Sequence, residues 1–107
     1  MSAYQATISR AFQQFLTEAP AAARAWTAAI EELRAASALA PKTDHLAYLA
    51  VLAALGRESG IPFHVRLAKQ AGATRDEVIS AILVGLPAAG SGVTSALPAA
   101  LAAFDAE

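Results

Sequence analysis

Apolar residues recur every three or four positions along nearly the whole chain, and no stretch alternates apolar and polar residues with a period of two. A spacing near 3.6 is typical of amphipathic helices. The pattern therefore predicts an all-α protein with about six helices.

Proline, glycine and capping residues mark several helix ends. Pro20 separates the first predicted helix from the second, and Pro41 opens the third. Gly56 is suited to end that third helix in the left-handed conformation. Thr74 and Glu77 stand at the spacing of a capping box, which predicts a further helix after Thr74.

The same pattern predicts one domain over residues 1–107, in which residues 1–37 form a separable N-terminal arm. On the second helix Trp26 and Leu33 lie at helical spacing, which favours core positions for both. The third helix is apolar around most of its circumference, and we expect it to be largely buried. The last helix is predicted to follow directly after Gly92.

Composition narrows the function. The chain has 107 residues, a net charge of −1 and no cysteine, so disulfides, thiolate metal sites and dithiol redox chemistry are excluded. A net charge near zero creates no positive potential that would attract the phosphates of a nucleic acid, so no nucleic-acid partner is expected. Hydrophobic residues make up 56%, an excess that predicts a homo-oligomer. No signal peptide is recognisable at the N-terminus, and a cytoplasmic protein is expected.

One uncharged stretch, residues 78–104, is longer than the ~20 residues that span a bilayer. Prolines and glycines interrupt it, which favours short buried helices over a membrane span. We therefore expect no membrane partner.

The candidate chemistry lies in two histidines and the corner between them. His45 falls on the apolar side of the third helix, and His64 falls on that of the fourth, after Arg57 and Glu58. Both imidazoles could meet in one pocket, or each could be a satisfied core or interface residue. Two histidines and one glutamate lack a known ligand spacing, so no metal is expected.

The stretch from Leu39 to Leu83 contains L-A-P-K-T-D-H-L-A-Y-L-A, a corner, and then H-V-R-L-A-K-Q-A-G-A-T-R-D-E-V-I. It resembles the carboxymuconolactone decarboxylase and AhpD-like superfamily, whose pattern L-x-P-K-x-x-E-L-I-x-L-A, corner, H-x-x-x-A-x-x-x-G-x-T-x-x-E-I keeps the same spacing. The resemblance implies an AhpD-like helical bundle that assembles as trimers or hexamers.

The corner distinguishes the branches of that superfamily. Where the hydroperoxidase branch has a C-x-x-C pair this chain has Arg57 and Gly60, and His45 replaces that branch's glutamate. The run Gly56-Arg57-Glu58, with His64 six residues after the glutamate, resembles the lactone decarboxylase branch. The resemblance thus implies a decarboxylase that acts without cofactor on a small unsaturated lactone or carboxylic acid.

In that interpretation His64 is the proton donor, Glu58 orients it, His45 is a second donor and Arg57 binds the substrate carboxylate. The alternative is a non-catalytic oligomeric binder or scaffold of the same fold. Thiol hydroperoxidase activity is disfavoured, because the chain has no cysteine.

Overall fold

A computed structural model describes residues 8–106 of the chain, and all regular structure within that range is helical. Residues 1–7 of the predicted N-terminal arm lie outside the described residues. Six helices have nine residues or more, namely α1 Arg10–Glu18, α2 Pro20–Ala36, α3 Pro41–Leu55, α4 Ile61–Gln70, α5 Arg75–Leu83 and α7 Leu97–Asp105. A short helix and two 3₁₀ segments complete the order, namely α6 Leu86–Ala89, Glu58–Gly60 and Ser91–Ala96. The prediction of an all-α bundle is confirmed.

The predicted capping signals act as helix ends. Thr74 Oγ1 accepts from the backbone N–H of Glu77 at 3.1 Å, and Glu77 Oε1 accepts from the backbone N–H of Thr74 at 2.9 Å. Gly56 ends α3 with φ +70°, in the left-handed region that a side chain would strain. These local interactions decide where α3 stops and α5 starts.

The predicted start of the last helix is wrong. A 3₁₀ segment follows Gly90, and the α-helix begins only at Leu97, with Pro98 in its first turn. Proline is tolerated at that position, but in a helix that began a full turn earlier its ring would clash with the carbonyl four residues before it.

The core lies where α3, α4, α5 and α7 pack together. The largest side chains with almost no exposure come from these helices and the second 3₁₀ segment: Leu49, Ile61, Val65, Val78, Ile82 and Val93. Helix α7 contributes Ala100, which is also fully buried.

The arm and part of α3 differ from the prediction. Helices α1 and α2 pack on each other and touch the other helices only slightly, so Trp26 is 56% exposed and Leu33 is 71% exposed. Leu55 on α3 is 65% exposed. The core predictions for Trp26 and Leu33, and the prediction that α3 is buried around most of its circumference, are wrong for the single chain, because no other described helix covers these faces.

Within residues 8–106, no helix has both the length and the apolar character needed to cross a membrane. The uncharged stretch is divided among α5, α6, the second 3₁₀ segment and α7.

Candidate functional site

His64 lies in the first turn of α4, and three neighbours enclose its ring. The Tyr48 ring from α3 packs on it with the two centroids 4.3 Å apart and the planes 30° apart. Phe63 meets it edge-on at 5.3 Å. A side-chain carbon at Gly60 would stand 3.9 Å from Cδ2 of His64. The imidazole is therefore held in one orientation between α3 and the turn that precedes α4.

One nitrogen of this ring is enclosed without a partner. Nδ1 of His64 is buried and makes no hydrogen bond to any residue in the range 8–106. A hydrogen on Nδ1 would be buried without an acceptor, which costs about 1–3 kcal/mol. The neutral imidazole is therefore expected to carry its hydrogen on Nε2.

The surroundings keep both histidines neutral at pH 7. Burial, with smaller contributions from the charges of His45 and Arg34, lowers the pKa of His64 from 6.5 to about 4. Burial and then Arg34 lower the pKa of His45, while Asp44 raises it. Positive neighbours disfavour the imidazolium form.

His45 and His64 belong to one cluster. His45 is half-buried in α3 and precedes Tyr48 by three residues, which places the two on neighbouring positions of one helix face. Because Tyr48 stacks on His64 and His45 acts on its pKa, the two imidazoles lie within electrostatic reach of each other. We call His45, Tyr48 and His64 the histidine cluster.

In the described residues, the side chains of Arg57 and Glu58 make no polar contact with this cluster. Both are exposed in the turn between α3 and α4, and their side chains make no hydrogen bond or ion pair within the described range. Neither charge is among those that act on the pKa of His45 or His64. The roles given to Arg57 and Glu58 from the sequence stay predictions.

Tyr48, which packs on His64, and Arg34, whose charge acts on both imidazoles, were not singled out in the sequence. Tyr48 could have been found from its spacing of three residues after His45. Arg34 is in the last turn of α2. The break between α2 and α3 separates it from His45, so no periodicity connects the two. Only the tertiary structure shows that the charge of Arg34 acts on both imidazoles.

Two concavities lie elsewhere, on the N-terminal arm. Both are shallow apolar grooves on α2, with volumes of about 490 and 480 Å³. Trp26 and Phe15 line the first, and Ala23 and Leu16 contribute to the second. The part of the chain that the structure describes has no group of three or more acidic or histidine side chains able to hold a metal ion.

Fold and site together define a class: cysteine-free, all-helical proteins with an imidazole packed at the junction of two core helices. Residues 20–106 match the model of the carboxymuconolactone decarboxylase family. The chain belongs to this family, in agreement with the resemblance seen in its sequence. Comparison with curated proteins and with solved structures gave no match.

Proposed function

We propose that the chain is a cofactor-free cytoplasmic lyase that removes carbon dioxide from a small unsaturated lactone acid or a related carboxylic acid. The observation that carries the proposal is that the charge of His45 acts on the partly buried imidazole of His64, in a family member without cysteine. With no thiol present, these imidazoles are the groups best suited to move a proton near neutral pH.

Besides binding the substrate, the protein needs only to donate a proton and to stabilise the oxyanion. When the carboxylate leaves as carbon dioxide, the electrons of the broken carbon–carbon bond enter the conjugated system as a dienolate. His64 protonates the carbon through Nε2, and His45 donates to the oxyanion. A bound carboxylate raises the pKa of His64 from about 4, because an opposite charge favours the imidazolium. Substrate binding thereby favours the protonated form of His64, which is the form that can act as the acid.

The predicted roles of Arg57 and Glu58 require a change at the turn that holds them. Both side chains are exposed next to Gly60, which itself packs near His64. In this proposal the turn closes over the ligand, so that Arg57 reaches the substrate carboxylate and Glu58 orients His64.

The test is turnover of conjugated lactone carboxylates, followed as loss of ultraviolet absorbance. We expect His64→Ala to lower the rate by about 10²–10⁴-fold, the usual contribution of a general acid. Ser59→Ala changes an exposed residue of the preceding turn and serves as the matched control. A His64→Ala protein that works at the wild-type rate would remove the assignment.

The second candidate is a non-catalytic binder of small unsaturated acids. It is favoured by a His64 that is neutral at pH 7 and by the absence of contacts between Glu58 and either histidine. The same lactone carboxylates distinguish the two candidates. A rise in melting temperature without any loss of absorbance indicates the binder, whereas loss of absorbance indicates the lyase.

We further propose that the chain works as a homo-oligomer of three or six copies. Tyr48, Val51 and Leu55 share one side of α3 and are exposed in the single chain, which supports coverage by a second copy. Mass in solution tests this: the expected value is three or six times 10.9 kDa. Val51→Glu should reduce the mass and Ser80→Glu should not. A wild-type mass of one chain would contradict the proposal.

A further inference from the structure

The N-terminal arm has an apolar groove that no other described helix fills. Helices α1 and α2 pack on each other and touch the rest of the fold only slightly. The groove, which we call the arm groove, is lined by Phe15, Ala22, Ala25 and Trp26 and by no charged side chain. The indole of Trp26 is 56% exposed. Tryptophan is among the residues that most often dominate protein–protein contacts, so the groove suits an apolar partner.

Helix α3 presents an apolar ridge that also has no cover in the single chain. Tyr48, Val51 and Leu55 lie on one side of this helix and are between 48% and 65% exposed, whereas Leu49 on another side is fully buried. Residues 46–56 contain no charged side chain. A helix that is apolar around its whole circumference is normally buried. We call Tyr48, Val51 and Leu55 the α3 ridge, and we expect it to be covered in the working protein.

The single chain exposes more area than a folded monomer of its mass. Its accessible area is 6743 Å², whereas monomeric proteins of 10.9 kDa expose about 5,600 Å². The excess of about 1,100 Å² is larger than the ~800 Å² that each partner buries in a typical stable interface. The area required for a stable contact between copies is therefore present.

We propose that the α3 ridge of one copy docks into the arm groove of a second copy. Both surfaces are apolar and open in the single chain, and the bulky side chains of the ridge can approach closely at Ala22 and Ala25. Groove and ridge are different patches, so the contact is heterologous and can close into a ring of three copies. The contact rests on the homo-oligomer proposed above and names the segments that form it.

This contact borders the histidine cluster. Tyr48 belongs to the α3 ridge and also packs on His64, with the two ring centroids 4.3 Å apart. The arm of the second copy therefore lies next to the residue that holds the imidazole, and the site is enclosed fully only in the assembly.

Fluorescence gives the first test, because Trp26 is the single tryptophan of the chain. In the wild type the indole is covered by the ridge of another copy, so we expect emission at short wavelength and weak quenching by acrylamide. Val51→Glu places a charge on the ridge and should shift the emission to longer wavelength and strengthen the quenching. Ser80→Glu is the matched control on an exposed position of α5 and should change neither.

Disulfide cross-linking gives the second test and identifies both segments. The chain has no cysteine, so Ala22→Cys in the groove and Val51→Cys on the ridge introduce the only thiols. Both positions are exposed, so the variants should keep the far-ultraviolet spectrum of the wild type. Oxidation of the double variant should link separate chains to each other, whereas each single variant should stay unlinked. Ala22→Cys combined with Ser80→Cys is the control and should also stay unlinked.

Four results would overturn the proposed contact. These are a disulfide within one chain, links formed by Val51→Cys alone, no link in the double variant, or a wild-type Trp26 that acrylamide quenches as strongly as in Val51→Glu. Mass in solution tests the homo-oligomer separately. A wild-type mass of three or six chains without the link refutes the docking alone, whereas a mass of one chain refutes both. Turnover of lactone carboxylates decides the lyase proposal independently of either result.

Discussion

Acid should weaken this protein through His64. The pKa of this imidazole is about 4 in the folded chain and 6.5 in ordinary surroundings, because burial and the charges of His45 and Arg34 disfavour its charged form. Between these two pH values the unfolded chain binds a proton that the folded chain does not. The free energy of unfolding therefore falls as the pH falls from about 6.5 to about 4. Above pH 6.5 both states carry a neutral His64, so this residue causes no loss of stability there.

The size of the effect follows from the two pKa values. A fall from 6.5 to about 4 sets a ceiling of about 3 kcal/mol, at about 1.4 kcal/mol per pH unit. The ring is only partly buried, so solvent screens the interactions that act on it. We expect roughly 1–2 kcal/mol of the free energy of unfolding to be lost between pH 7 and pH 4.5.

The assay is urea denaturation of the wild type and of His64→Phe at several pH values and one protein concentration. Phenylalanine keeps an aromatic ring beside Tyr48 and removes the titration, so the two curves of stability against pH should diverge below pH 6.5. Carboxylates with lowered pKa values, such as Glu77 and Asp105, titrate equally in both proteins and cancel in the difference. The pKa of His64 in the folded wild type can also be read directly by nuclear magnetic resonance.

Parallel stability curves, or a pKa of His64 close to 6.5, would refute the reasoning. His45→Phe is the matched control at the other imidazole. Removal of the His45 imidazole should also raise the pKa of His64, since the charge of His45 is one of the causes that lower that pKa.

Three further predictions concern the fold and are checked by urea denaturation. Leu49→Ala should cost about 2–5 kcal/mol, because this side chain is fully buried; a loss below about 1 kcal/mol would contradict its core position. Thr74→Ala should cost about 1 kcal/mol through loss of the cap on α5, and an unchanged midpoint would argue against the capping box. Gly56→Ala should cost about 1 kcal/mol, because φ is +70°. Gly60→Ala is its control, since the added carbon would meet Leu52 at an ordinary 3.5 Å; equal costs would refute the strain argument.

Local signals in the sequence were enough to predict most of the helices. The reciprocal bonds of Thr74 and Glu77 join residues three positions apart, and the turn at Gly56 depends on one residue's conformation. Such interactions form within a single turn of chain, so they can be predicted from neighbouring residues in the sequence. The start of α7 was missed because a 3₁₀ segment and an α-helix share nearly the same apolar spacing before Pro98.

The candidate site was predictable only in part. His45 and His64 could be named because histidines are rare in this chain and lie on apolar faces. The choice of Arg57 as their positive neighbour used nearness in sequence, whereas the group that acts on both imidazoles is Arg34. A charge interacts through space, so its effect on the imidazoles depends on the tertiary structure and not on nearness in sequence.

By itself the sequence determined the helical class, the caps and the family, because each depends on spacing along the chain. The tertiary structure decided which apolar faces find a partner: α3 buries Leu49 but leaves Leu55 exposed. It also decided which polar groups meet, and it left Nδ1 of His64 enclosed beside Tyr48. Burial and electrostatic interaction depend on neighbours from distant parts of the chain, and these exist only once the helices have packed.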